Sequence, residues 1–351
     1  MPRLFAEPFY YQVKTMTRML VAPILIALLG LTLPGGTETA QAKKGKTIRL
    51  AMLAPRGSIV HREFKKLDKQ VQKITNNAWS VKVYPSGMAG DDTDVIRKMR
   101  VGQMDGGVIT TTGLSHIVRQ VAVLDAPGTV NNYKQLEAVQ KELKDEWDKM
   151  FIKANTKLVA WWEAGRYRIF SKGPANNMAQ LRRHRAWLWP DSQVLKELWR
   201  AAGVTGVPLA LNDVFGALQT GMVDLVVNTP VALVALRWHL NLDHVSQREA
   251  GVLLLAWVMN KPVWDQLPEH ARNEIQKQVA ESAVKYKRDA RKEDAKSYKI
   301  LLKRGFTATK MKPADSKKWD QIEATVRKRL TGRVYPKSLL DRVMAVAKKA
   351  K

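Results

Sequence analysis

The side chains best suited to chemistry or binding are unevenly spread. Eleven tryptophans include two tight groups, Trp161-Trp162-Glu163 and Trp187-Leu188-Trp189-Pro190-Asp191, with Trp238 further along. Each group follows or forms a segment that reads as a strand, and alternation puts Trp187 and Trp189 on one face. Indoles beside a few polar groups make a pocket wall, because each ring offers broad apolar contact and one N–H. At least one of Trp162, Trp187, Trp189 and Trp238 is therefore expected to line a solute site. Gly90-Asp91-Asp92-Thr93-Asp94 sets three carboxylates within four positions. It lacks the glycine and distal glutamate of a calcium loop, so helix capping is its better reading, with Asp92 kept as a candidate ligand contact.

Catalytic signatures are missing. The chain has no cysteine, which excludes thiol nucleophiles, disulfide frameworks and thiolate-held metals. Of six histidines only His239 and His244 have ligand-like spacing, and no second pair joins them. No Gly-x-Ser-x-Gly elbow occurs. Lys43-Lys44-Gly45-Lys46-Thr47 ends like a phosphate loop, but Ala40 stands where that loop needs glycine. The expectation is a protein that is not an enzyme and uses neither cofactor nor metal.

The elements that must position these residues begin as β-α-β units. Thr47 to Leu53 reads as a buried strand and Ala54-Pro55-Arg56-Gly57-Ser58 as a turn. Residues 59–75 show helical spacing through Val60, Phe64, Leu67, Val71 and Ile74, and Trp79 to Tyr84 alternates as a strand. This predicts an α/β fold. Residues 94–110 and 213–229 then match in register at Asp, Val, Gly, Asp, Val and Thr, with a constant offset of 119. Both copies read as helix, glycine stop and strand, with Asp94 and Asp213 as N-caps and Gly102 and Gly221 at the left-handed end. Two similar lobes facing one another follow. Ligands in open α/β sheets sit beyond the carboxyl ends of strands, so Thr110-Thr111-Thr112-Gly113 and Asn228-Thr229-Pro230 become ligand-facing loops. Beyond Pro268, expected at a first helical position, lie three long charged helices: 268 to about 302, 315 to about 330 and 337 to about 349.

At the other end, Lys14 and Arg18 precede an apolar run from Met19 to Leu33, and small residues lead to Ala40-Gln41-Ala42. That is the layout of a secretory signal peptide cleaved after Ala42; the run is short for a membrane span. A periplasmic protein is expected. The whole chain carries 59 Lys and Arg against 32 Asp and Glu, a net +27. Such a surface attracts anions in a salt-dependent way. A competing reading is thus a basic surface-interaction protein holding anionic lipid or cell-wall polymer. Export and the absence of a binding motif argue against nucleic acid.

The residues also carry a family likeness. The chain resembles the DctP-type receptors of tripartite ATP-independent periplasmic (TRAP) transporters over about Thr47 to Ala347. The matching segments include Leu50-Ala-Met-Leu-Ala-Pro-Arg-Gly-Ser58, Val83-Tyr-Pro-Ser-Gly-Met-Ala-Gly-Asp-Asp92, Phe215-Gly-Ala-Leu-Gln-Thr-Gly-Met-Val-Asp224 and Asn260-Lys-Pro-Val-Trp-Asp-Gln-Leu-Pro268. The resemblance implies a two-lobed periplasmic-binding-protein-like (type II) fold with hinge strands, a central cleft and long C-terminal helices. The lobes would be 43–168 and 169–252, with 253–351 returning across both. The implied role is capture of a small molecule in the cleft and delivery to a TRAP permease. Such receptors seize an organic-acid carboxylate with an arginine on the strand after a stretch that here looks like Gln180 to Asp191, and that position holds Trp187. An indole cannot form a bidentate carboxylate fork, so Arg166 or Arg168, on one strand face, or more weakly Arg56 or Arg237, would have to replace it. If none does, the cargo is neutral or apolar, and a helical-repeat partner protein is also implied. The expected ligand-binding set is Arg56, Ser58, Asp92, Thr111, Thr112, Trp162, Glu163, Arg166, Arg168, Trp187, Trp189, Asp191, Asn228 and Trp238.

Overall fold

In a computed structural model, residues 45–350 are described. The anticipated signal segment and its cleavage site lie outside them. Among the described residues no helix is long and apolar enough to cross a membrane, and no group of metal-ligating side chains comes together.

The strands are β1 (Lys46–Met52), β2 (Trp79–Tyr84), β3 (Gly106–Thr110), β4 (Thr156–Arg166), β5 (Arg168–Ser171), β6 (Arg185–Leu188), β7 (Thr205–Pro208), β8 (Leu225–Asn228), β9 (His244–Ser246), β10 (Val252–Asn260) and β11 (Thr307–Thr309). The helices are α1 (Ile59–Ile74), α2 (Asp92–Arg100), α3 (Thr111–Leu114), α4 (Tyr133–Glu142), α5 (Lys144–Lys153), α6 (Met178–Leu181), α7 (Gln193–Ala202), α8 (Val214–Gln219), α9 (Pro230–Ala235), α10 (Lys261–Asp265), α11 (Glu269–Lys303), α12 (Pro313–Leu330) and α13 (Lys337–Lys349).

Two mixed sheets form, in the orders β2-β1-β3-β10-β4 and β11-β9-β5-β8-β6-β7. Each is built on a β-α-β-α-β run, so the molecule is a two-lobed α/β protein. Hydrophobic periodicity explains the helices that cover them: Val60, Phe64, Leu67 and Val71 fall on one face of α1 and are buried. Ser58 caps that helix by accepting the His61 N–H, as Ser192 caps α7 from Leu195.

Two of the chain's crossings between sheets are extended segments. Tyr167 separates β4 from β5, and Gly251 precedes β10. These crossings pair with one another, Tyr167 N–H donating to Gly251 C=O and Ala250 N–H to Tyr167 C=O. The long helix α11 runs behind them. Its Ile275 packs in the core of the first sheet and Leu301 in that of the second. Between these, buried Asp294 accepts the backbone N–H groups of Arg166 and Val231. Gly165 has φ +100°, and a Cβ there would sit 2.3 Å from an Asp294 oxygen, so only glycine fits.

Two expectations are corrected. Pro268 is the N-cap of α11, extended at ψ 143°, and helix starts at Glu269. Asp94 is not an N-cap: Asp91 holds that position on α2, and Asp94 three residues on accepts the Asp91 N–H at 3.3 Å, a reciprocal capping arrangement. Asp213 does precede α8, but a 3-10 turn leads into it and its side chain makes no capping bond.

Candidate functional site

A cavity of about 460 Å³ lies between the lobes, lined by residues that follow β1, β3, β6 and β8. The crevice at the carboxyl ends of parallel strands is where two β-α-β lobes leave room for a ligand. Leu53, Ile59, Trp187, Trp189, Leu198 and Leu236 are among its apolar walls. Arg56, Ser58, Thr112, Asp125, Glu163, Tyr167 and Asn228 supply polar edges.

Trp187 is fixed from three sides. It is 2 % exposed, its ring meets that of Trp238 edge-on at 5.2 Å and tilts against that of Trp189 at 5.6 Å. Its indole N–H donates to the Leu209 carbonyl at 2.9 Å, and its own carbonyl accepts the Trp199 indole N–H. An indole has one donor. With that donor committed to the backbone, Trp187 gives the cavity an apolar surface and nothing that could hold a carboxylate.

The lobes touch across the cavity's edge. Asp91, at the start of α2, accepts the Leu211 N–H of the opposite lobe at 3.2 Å, and the Thr93 hydroxyl donates to Asp191. Leu53 from the end of β1 packs into the second lobe's cluster with Trp187, Phe170 and Leu211. The structure is therefore closed around the cavity. Burial and the neighbouring Asp94 and Asp191 push the Asp91 carboxyl up, while the Leu211 N–H opposes that shift.

Comparison with known proteins places this geometry. Residues 50–331 match the family model for bacterial extracellular solute-binding protein, family 7, or DctP. The chain belongs to this family. The receptor is 26 % identical over 275 residues to the C4-dicarboxylate-binding periplasmic protein DctP of Rhodobacter capsulatus, covering 77 % of this chain and 81 % of that one. It is 19 % identical to the sialic acid-binding periplasmic protein SiaP of Vibrio cholerae, covering 82 % and 88 %. Among solved structures, the sugar acid binding protein DctPAm of Advenella mimigardefordensis with galactonate superposes with a TM-score of 0.80 at 17 % identity, covering 88 % of this chain and 99 % of that one. A TRAP periplasmic solute binding protein of Shewanella oneidensis with bound succinate gives 0.79 at 16 % identity, covering 86 % and 99 %. The family is one of receptors, not of enzymes.

Of the residues expected at the receptor's site, Arg56, Ser58, Thr112, Glu163, Trp187, Trp189 and Asn228 line the cavity. Glu163 is nonetheless engaged, its carboxylate held by Arg291 at 2.5 and 3.1 Å. The other seven do not line it, and each has a structural task. Arg166 and Arg168 share Glu249 as a partner at 2.7 and 2.5 Å. Arg168 also donates to the Ser246 and Gln247 carbonyls and stacks on Tyr298. Alternation does put both on one face, but that face fastens the interlobe crossing. Of the two weaker substitutes, Arg56 lines the cavity and Arg237 does not.

Trp162 stacks on Tyr286 at 5.4 Å inside the first lobe, and Trp238 is buried behind Trp187. Asp191 takes the Thr93 hydroxyl, and Thr111 donates to Asp125. Asp92 accepts both the backbone N–H and the hydroxyl of Thr110. Its burial pushes the carboxyl up to about 7. Tyr167, Asp125 and Glu293, which sequence reasoning missed, do line the cavity. Tyr167 had a usable signal in its place between Arg166 and Arg168 at a strand break. Asp125 reads only as a turn residue before Pro127.

Proposed function

We propose that this chain is a periplasmic receptor that closes on a neutral or apolar solute and hands it to a TRAP-type permease. The observation that carries the choice of solute is the Trp187 indole, whose only donor is spent on Leu209, at the position that the family resemblance matches to a carboxylate-binding arginine. Arg166 and Arg168, the nearest substitutes, are both tied to Glu249 outside the cavity, and Arg56, the one candidate that does line it, is exposed in the turn after β1. Relatives whose names specify a C4-dicarboxylate or sialic acid support the receptor role. The indole wall separates this chain's cargo from theirs. Affinity would come from removing water around apolar surface as the lobes meet.

Native mass spectrometry of protein freshly purified from the periplasm tests this reading. A retained uncharged or largely apolar molecule is expected, on a chain beginning at Lys43. A retained dicarboxylate or sugar acid would overturn the assignment of cargo.

A further inference from the structure

The charge inside the cavity runs opposite to the charge of the protein. The chain is +27, yet the described lining contains one cation, Arg56, and four carboxylates: Asp125, Glu163, Glu293 and Glu323. Two of the four are neutralised, Glu163 by Arg291 and Glu323 by Arg248. Asp125 and Glu293 have no ion-pair partner among the described residues. Arg56 is exposed, and among the described residues its backbone N–H alone is bonded, to Ser86.

Asp125 is the more telling of the two. It follows the 3-10 turn Arg119–Leu124 and reaches the carboxyl end of β3, where Thr111 donates its hydroxyl to one carboxylate oxygen. The other oxygen is buried without a hydrogen-bond partner. Buried acceptors are normally satisfied; this one is sealed from the cavity that Asp125 lines, so a ligand's donor reaches it by a small shift of the side chain toward that space. Burial raises this carboxyl to about 6, and the Thr111 hydrogen bond opposes that rise; a cationic partner would favour its ionised form.

Given the apolar-solute reading above, on which this step rests, the geometry points to a cargo with an organic ammonium head, anchored by Asp125, and an apolar body against Trp187 and Trp189. The surrounding basic surface repels a cation at long range. Salt screens that field beyond about 8–10 Å, whereas inside a closed apolar cavity the nearby carboxylate acts through a lower dielectric. An acid headgroup placed against Asp125 and Glu293 would be repelled, with Arg56 the one cation of the described lining to offset that. Selection would thus come from an unfavourable contact as much as from a favourable one.

Three probes sharing one chain test it: octylammonium, octanol and octanoate, titrated into unliganded protein at physiological salt by calorimetry. The expected result is that octylammonium binds at least tenfold tighter than the other two, and that Asp125→Asn, which keeps the acceptor for Thr111, erases that advantage. Equal affinities, or octanoate binding tightest, would overturn the ammonium assignment while leaving the apolar reading standing. If none of the three binds and succinate does, the apolar reading itself falls. Glu293→Gln is the second variant, measured on the same series should Asp125→Asn not fold. It should narrow the preference, and an unchanged preference would count against the proposal. Loss of preference in Glu293→Gln with none in folded Asp125→Asn would overturn Asp125 as the anchor.

Discussion

The two β-α-β copies, one per lobe, are locked by the same bonds. Arg49 on β1 and Arg185 on β6 each give a backbone N–H to an aspartate that precedes the next parallel strand, Asp105 at 2.7 Å and Asp224 at 2.8 Å. Each arginine's carbonyl accepts that aspartate's N–H, and each guanidinium reaches the carbonyl of the helix-ending glycine, Gly102 or Gly221. Those glycines have φ of +70° and +69°. Thr110 and Thr229 then cap the next helix in both copies. Arg49 and Arg185, with these repeated aspartates, glycines and threonines, form a frame whose shared bonds run to backbone groups.

Function sits where the copies differ. Two and four residues after the frame arginine, the first lobe has Ala51 and Leu53, and the second has Trp187 and Trp189. Beyond the cap threonine the first lobe continues with Thr111 and Thr112 near Asp125, and the second with Pro230 and Val231. One half supplies small and polar groups and the other indole and aliphatic surface. A repeated scaffold thereby makes an unsymmetrical cavity, since the shared backbone bonds of the frame leave these positions to differ between the lobes.

The largest effect should come from cutting the frame. Asp105→Ala removes an acceptor that also ion-pairs with the Arg49 side chain at 2.8 Å and should cost about 2–3 kcal/mol. Asp224→Ala, whose side chain faces His184 and not its arginine, should cost about 1–2 kcal/mol. Urea unfolding measures both, and equal losses would contradict the difference drawn between the two clamps.

A smaller effect concerns closure, which uses residues outside the frame. Thr93→Val and Asp191→Ala should each open the receptor, with a coupling of about 1 kcal/mol in a double-mutant cycle. The absence of cysteine permits clean spin labelling at Lys69→Cys and Lys196→Cys, exposed on α1 and α7. Strictly additive shifts in the closed population would show that these side chains do not work together.

The smallest effect is pH-dependent and belongs to one copy. The Asp224 hydrogen bond holds His184 above its ordinary range, against desolvation, so its stabilisation is complete below pH about 6.5 and lost as pH rises through the raised value. Asp224 is held below the usual carboxylate range despite its burial, through His184 and the Arg185 N–H. Its own contribution is therefore lost only in acid. Between pH 6 and 9 the wild type should lose a few tenths of a kcal/mol relative to His184→Gln. Arg49, which serves Asp105, stays charged throughout, so a matching loss in His184→Gln would remove the histidine as its source.

Much of the frame was legible because its signals are local. Amphipathic spacing marks α1, alternation marks β2, and the 119-residue echo marks the two lobes. The strand ends named by that echo do border the cavity at Thr112 and Asn228. Capping was less legible at Asp94, since three nearby aspartates suit one helix start and only geometry selects Asp91.

What the sequence determined by itself is whatever depends on neighbours along the chain: helices, strands, turns, a basic composition and the clustering of tryptophans. Tertiary structure decided which polar groups remain available. Arg166 and Arg168 are drawn away by Glu249, some 80 residues distant, the Trp187 N–H by Leu209, and Glu163 by Arg291. Charge and hydrogen-bonding capacity are used up by partners brought together only on folding, so a side chain's type shows what it can do and its packing shows whether it is free to do it.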